Sequence, residues 1–130
     1  MWSCMPNIAK SSLPRLFIEK LQAIVGNRFV LDRFEERLVY ECDACLLVKA
    51  APEVIVLPRT TEEVAAIIKL CQEHQIPFTP RGAGTGLSGG ALTVEGGVVI
   101  GTNRMDQIVE IALAPQTAPV EVGVVTSWVR

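Results

Sequence analysis

Residues 81–90 read RGAGTGLSGG and hold five of the chain's ten glycines: Gly82, Gly84, Gly86, Gly89 and Gly90. Glycine loses more conformational freedom on folding than any other residue, so this density needs a physical reason. A tight turn accounts for one or two. Five imply a backbone that must come very close to something. Successive N–H groups in such a loop form a nest of fixed partial positive charge, which suits an anion. Thr85 and Ser88 add hydroxyl donors, and Arg81 adds a full positive charge. Phosphate or pyrophosphate fits this design.

Two common phosphate loops are set aside. A Walker A loop needs a lysine after its last glycine, but Gly84-x-x-x-x-Gly89 is followed by Gly90 and Ala91. Gly84, Gly86 and Gly89 match the dinucleotide spacing G-x-G-x-x-G, and Glu110 stands at a suitable distance downstream. That fingerprint must open a helix. Here ALTVEGGVVIG follows, with Gly96 and Gly97 where the helix would run. The segment reads as a turn and a strand.

Other residue types capable of chemistry have plainer readings. Cys42 and Cys45 form a CxxC, but His74 and the scattered Cys4 and Cys71 do not complete a zinc set,. A thioredoxin-type pair would open a helix after a strand, whereas this one lies in the irregular YECDAC. Reduced, partly buried thiols are expected. His74 is the only histidine and reads as a partner of a helix C-terminus or a surface residue, not a base. Arg59 and Arg104 read as surface or loop-packing residues, and Glu35–Arg37 as a solvated charged turn.

The elements that must position the loop are legible around it. Leu13, Leu16, Phe17, Leu21, Ile24 and Val25 recur at near-helical spacing, with Ser12 as cap, Pro14 in the first turn and Gly26 at the end,. Residues 27–50 suggest turns and short helical pieces. Glu53–Leu57 is a short continuous apolar run, the pattern of a strand buried on both faces. Pro58 ends it. Thr60 and Glu63 make a capping box, and Val64, Ile67, Ile68 and Cys71 follow as one apolar stripe running to about His74. Pro77–Pro80 is a second short strand. Strand, helix, strand gives a βαβ unit, so the strands should be parallel. The glycine loop then follows a strand at its carboxyl end, where α/β ligands bind. Gly97–Thr102, Ile108–Leu113 and Pro119–Val124 suggest three further strands, and Thr126–Arg130 the start of a helix. A βαβ front and a β-rich back indicate α+β and not a doubly wound sheet.

Composition narrows the function. With 130 residues, 49% hydrophobic and 20% charged, the chain is a globular sequence of one domain,. The net charge of −2, the absence of a Lys/Arg cluster and the few aromatics argue against nucleic-acid binding,. No run reaches the ~18 apolar residues of a membrane span, and the N-terminus lacks a signal-peptide core. A cytoplasmic protein is expected, with peripheral contact to a complex at the inner membrane left open.

PRGAGTGLSGGAL, from Pro80 to Leu92, closely resembles the pyrophosphate loop of FAD enzymes of the vanillyl-alcohol-oxidase, or p-cresol-methylhydroxylase (PCMH), type. The likeness extends upstream through Tyr40-Glu41-Cys42-Asp43, the strand ending at Pro58 and the TEEV helix start. Downstream it takes in GGVVIGTNRMDQI and VEVGV. It covers most of residues 38–128 and is nearest to the glycolate oxidase flavoprotein subunit and the D-lactate and D-2-hydroxyglutarate dehydrogenases.

The resemblance implies a first lobe of a PCMH-type FAD-binding domain over residues 38–130, after a helical lead-in at 1–37. Arg81, Gly82, Ala83, Gly84, Thr85, Gly86, Leu87, Ser88, Gly89 and Gly90 would wrap the FAD pyrophosphate by N–H groups, aided by the Thr85 and Ser88 hydroxyls. Gly123 would let the backbone lie close to the cofactor, although Val122 stands where the family usually has proline. The loop has no His, Cys or Tyr for a covalent flavin link, so FAD would be held non-covalently. The reaction would be oxidation of a 2-hydroxy acid to a 2-keto acid, with hydride passing to flavin. An iron–sulfur partner subunit is one acceptor the resemblance suggests. The second flavin lobe, the substrate domain and any metal ligands lie outside these 130 residues, so the piece alone should bind FAD poorly and not turn over. The alternatives are a non-catalytic phosphate- or nucleotide-binding module and an inert truncated remnant.

Overall fold

The computed structural model describes residues 12–129; the lead-in at 1–11, with Cys4, and Arg130 lie outside them. Helix α1 spans Arg15–Val25 and buries Phe17, Ile18, Leu21 and Val25. Its N-cap is Pro14, which has no N–H to leave unsatisfied,. Ser12 does not cap it; its hydroxyl donates instead to the Glu53 carboxylate, 41 positions away. Gly26 closes the helix at φ +90°.

A short 3₁₀ turn at Asn27–Phe29 leads into strand β1, Val30–Leu31, and then helix α2, Phe34–Leu38. Arg37 corrects the expectation of a solvated turn. It is 3% exposed, and its guanidinium donates to the Glu53 carbonyl at 3.3 Å. A long side chain at the end of a short helix reaches backbone oxygens that lead into the next strand, and those oxygens need a donor.

Strand β2, Val54–Val56, is buried throughout. Helix α3, Thr61–Glu73, follows with Thr60 as N-cap, and Thr60 Oγ1 accepts from the Glu63 N–H at 3.2 Å. The Glu63 carboxylate takes the N–H of Arg59 at 2.7 Å, one residue before the position of a strict capping box. Ile67, Leu70 and Cys71 are buried, with Val64 and Ile68 at the margin.

Strand β3, Phe78–Arg81, and strand β4, Val98–Gly101, complete a four-stranded sheet in the order β1-β2-β4-β3. β4 is parallel to both β2 and β3, and β1 is antiparallel to β2. β2 and β3 therefore run parallel, as expected from strand–helix–strand, but β4 lies between them and they do not pair with each other. α1 and α3 share one core with Val30, Val54, Val56, Val98 and Ile100. Ile55 and Val99 alternate to the opposite face and are fully buried too,.

The two later strands are not continuous ladders. Met105–Ala112 and Thr117–Gly123 form an irregular hairpin with isolated antiparallel bridges Ile108↔Val120 and Ala112↔Thr117. Pro119 has no N–H to donate, and the Gln107 N–H goes to the Glu121 carboxylate at 2.9 Å. The pairing of residue 109 with 119, then 112 with 117, inserts one extra residue as a bulge,. Thr126–Val129 is a 3₁₀ turn. No helix among the described residues is long and apolar enough to cross a membrane.

Candidate functional site

The glycine loop leaves β3 at its carboxyl end and lines a shallow groove of about 390 Å³ from Pro80 to Ala91. Nine of the ten site residues of the loop line this groove; Gly89 does not. Thr85 and Ser88 are exposed, so their hydroxyls are free to meet a ligand. A Cβ at Gly82, Gly86 or Gly90 would meet nothing within 4 Å. Packing inside the chain does not require glycine at these three positions.

Gly84 has a different reason. Its φ is +71°, and a Cβ there would stand 2.2 Å from Arg81 Nη2. Arg81 itself is 8% exposed and is turned under the loop. Its Nη2 donates to the Cys42 carbonyl at 2.9 Å, and its guanidinium carbon lies 5.4 Å from the centre of the Tyr40 ring, within cation–π range. Its Nη1 is buried without a hydrogen-bond partner among the described residues, as is Thr102 Oγ1. The two residues lie at neighbouring strand ends, where the Thr102 N–H donates to the Arg81 carbonyl at 3.0 Å. The Arg81 guanidinium thus places an unpartnered buried donor beneath the loop,.

Sequence reasoning gave Tyr40–Asp43 no physical role. The structure sets this segment against the loop. The Gly89 N–H donates to Asp43 Oδ2 at 2.9 Å, the Cys45 N–H donates to Asp43 Oδ1 at 2.8 Å, and the Ala44 N–H donates to the Gly84 carbonyl at 3.0 Å. The Asp43-x-Cys45 contact is a local Asx turn, the one signal in the sequence that marks Asp43.

Gly123 is required by the chain itself. A Cβ there would stand 2.1 Å from the Thr102 carbonyl oxygen, while its N–H donates to the Met105 carbonyl at 2.8 Å. This ties the hairpin to the carboxyl end of β4.

The remaining candidates separate from the site. His74 is the exposed C-cap of α3; it touches Lys20 Nζ at 3.2 Å and meets the Phe17 ring edge-on at 5.3 Å. Arg104 packs against the loop before β1: its guanidinium lies 3.4 Å from the centre of the Phe29 ring and donates to the Leu57 carbonyl at 2.7 Å. Arg59 is exposed. Cys42, Cys45 and Cys71 are free thiols. Burial pushes the Cys71 thiol up to about 11. No group of three or more potential metal ligands occurs among the described residues.

The family described as FAD binding domain matches residues 52–129. Glycolate oxidase subunit GlcD of Bacillus subtilis is 40% identical over 108 residues, which are 83% of this chain and 23% of that protein. D-lactate dehydrogenase of Anaerostipes hadrus is 45% identical over 92 residues, which are 70% of this chain and 19% of that protein. The chain thus spans about a quarter or less of the length of these relatives. Among solved structures, alkyldihydroxyacetonephosphate synthase superposes with a TM-score of 0.78 at 25% identity, over 89% of this chain and 26% of that one. p-Cresol methylhydroxylase superposes with a TM-score of 0.67 at 27% identity, over 84% and 22%. The sheet, the loop at the end of β3 and these likenesses agree: the chain belongs to the FAD-binding domain family of the PCMH-type flavoenzymes.

Proposed function

We propose that residues 81–90 hold the pyrophosphate of FAD, and that the protein carrying this chain oxidises a 2-hydroxy acid such as glycolate or D-lactate to the 2-keto acid. The observation that carries the loop assignment is the open space at Gly82, Gly86 and Gly90. A side chain on any of them would project where the groove must receive a ligand, and glycine keeps the backbone N–H groups within reach of it. The Thr85 and Ser88 hydroxyls add neutral donors at the rim. Arg81 contributes positive charge from beneath, where burial strengthens it relative to a solvated cation. Gly123 is assigned to the neighbourhood of the cofactor because it sits on Thr102 at the same edge of the sheet.

The substrate class rests on the relatives, which are named as glycolate oxidase subunits and a D-lactate dehydrogenase. When bound, FAD supplies the two-electron acceptor for such an oxidation. This chain's own residues bind and orient; none of them is assigned as acid or base. The loop contains no His, Cys or Tyr, so the flavin is held without a covalent link. Residues 38–130 form the first lobe of the FAD domain and 1–37 lead into it. The word "subunit" in the relatives' names supports assembly with a partner, and an iron–sulfur protein is the electron acceptor we assign to it. The protein is assigned to the cytoplasm.

The test is spectroscopic. The whole gene product should purify with flavin absorbance, and the absorbance should bleach when glycolate or D-lactate is added without oxygen. A colourless protein that binds ATP or coenzyme A tightly would replace this reading with a nucleotide-binding module.

A further inference from the structure

Two N–H donors converge on the two oxygens of one buried carboxylate. Asp43 is 5% exposed. Its Oδ2 accepts from the Gly89 N–H at 2.9 Å and its Oδ1 from the Cys45 N–H at 2.8 Å. Both bonds are charge-assisted and shielded from water, so they are among the stronger ones available to a loop. The contact crosses 46 positions of sequence and joins the far end of the glycine run to the segment that also receives Arg81 and Gly84.

We infer that Asp43 is the positioning residue of the anion nest, an internal anion that fixes the loop's far end so that residues 82–88 present their N–H groups to the cofactor. The inference rests on the reading that this loop binds the FAD pyrophosphate. Its physical content is that the N–H of Gly89, although part of the glycine run, is committed to the protein. The same negative charge disfavours a second anion at that end, so the phosphates sit toward Gly82–Ser88. An asparagine at 43 would keep the shape of the side chain. It could accept only one of the two N–H groups and would turn an NH₂ donor toward the other.

The test uses the whole gene product after removal of its flavin, titrated with FAD and with riboflavin, which lacks both phosphates. Asp43→Asn should weaken FAD by about 10- to 100-fold and leave riboflavin within about twofold, because only the phosphate-binding part is misplaced. Equal losses for both ligands would make Asp43 merely structural and overturn the inference, as would unchanged FAD affinity. If the unsubstituted protein binds FAD no better than riboflavin, the pyrophosphate assignment itself fails, and that outcome is visible before any variant is made. Hydrogen exchange on the unsubstituted protein gives a second measurement that does not depend on the variant folding. The Gly89 amide should already be protected without FAD, while the amides of residues 82–88 should gain protection when FAD is added. A Gly89 amide that exchanges freely until FAD arrives would overturn the inference.

Discussion

The guanidinium of Arg81 occupies the space that a side chain at Gly84 would need: a Cβ at Gly84 would stand 2.2 Å from Nη2. The two residues are three apart in sequence and form one unit. The missing side chain of Gly84 lets Arg81 fold under the loop and reach the Cys42 carbonyl. Gly84→Ala should therefore cost about 1–3 kcal/mol, from the positive φ and from displacing a buried donor. Part of that loss should disappear in an Arg81→Ala background, where the obstructing group is absent. Urea melts of the four combinations check this; strictly additive losses would mean that the two residues are independent.

Gly86 offers the opposite case. Nothing lies within 4 Å of a Cβ there, so Gly86→Val should fold with a stability change within about 1 kcal/mol. Its flavin content on purification should fall to near zero, because the new side chain occupies the groove. Normal flavin content in a folded variant would take Gly86 out of the site.

Arg104 packs rather than binds. Arg104→Ala removes the contact with Phe29 and the hydrogen bond to Leu57, which should cost about 1–3 kcal/mol in a thermal or urea melt. Arg104→Lys should recover only part of it, since an ammonium lacks the flat face that lies over the ring. Substrate KM in the whole protein should not move in either variant.

Cys71 makes stability depend on alkaline pH. Its thiol ionises near 9.0 when unfolded and near 11 in the fold, because burial disfavours the thiolate,. The unfolded state therefore releases its proton first. The contribution is fully present below about pH 9 and is lost as the pH rises toward 11,. The difference in urea midpoint between the unsubstituted protein and Cys71→Ala should shrink across that window. A constant difference would place the thiol in contact with solvent. Thiol reagents should modify the half-buried Cys42 and Cys45 before Cys71,.

Much of this was legible in the sequence because local physics decided it. The EVIVL run could be buried on both faces only as an inner strand, and β2 is that strand. Thr60 and Glu63 marked the start of α3, and the stripe through Ile67 and Cys71 marked its buried face. The glycine density of residues 81–90 marked a loop at the carboxyl end of a strand, and the family match agrees with the flavin reading of the chain. Ile108–Leu113 and Pro119–Val124 misled, because an apolar alternation says nothing of whether N–H groups find partners. Pro119 and the Glu121 carboxylate break that ladder.

The sequence by itself determined α1, β2, α3, β3 and β4, the glycine loop and its place after a strand, since these depend on periodicity, caps and backbone freedom within a few residues. The tertiary structure decided the strand order with β4 between β2 and β3, the burial of Arg37 and Arg81, and the use of Asp43 to hold Gly89. Each of these joins groups 15 to 46 positions apart. Whether a charged side chain meets water or a distant carbonyl is fixed by how the chain closes on itself, and no local pattern records that partner.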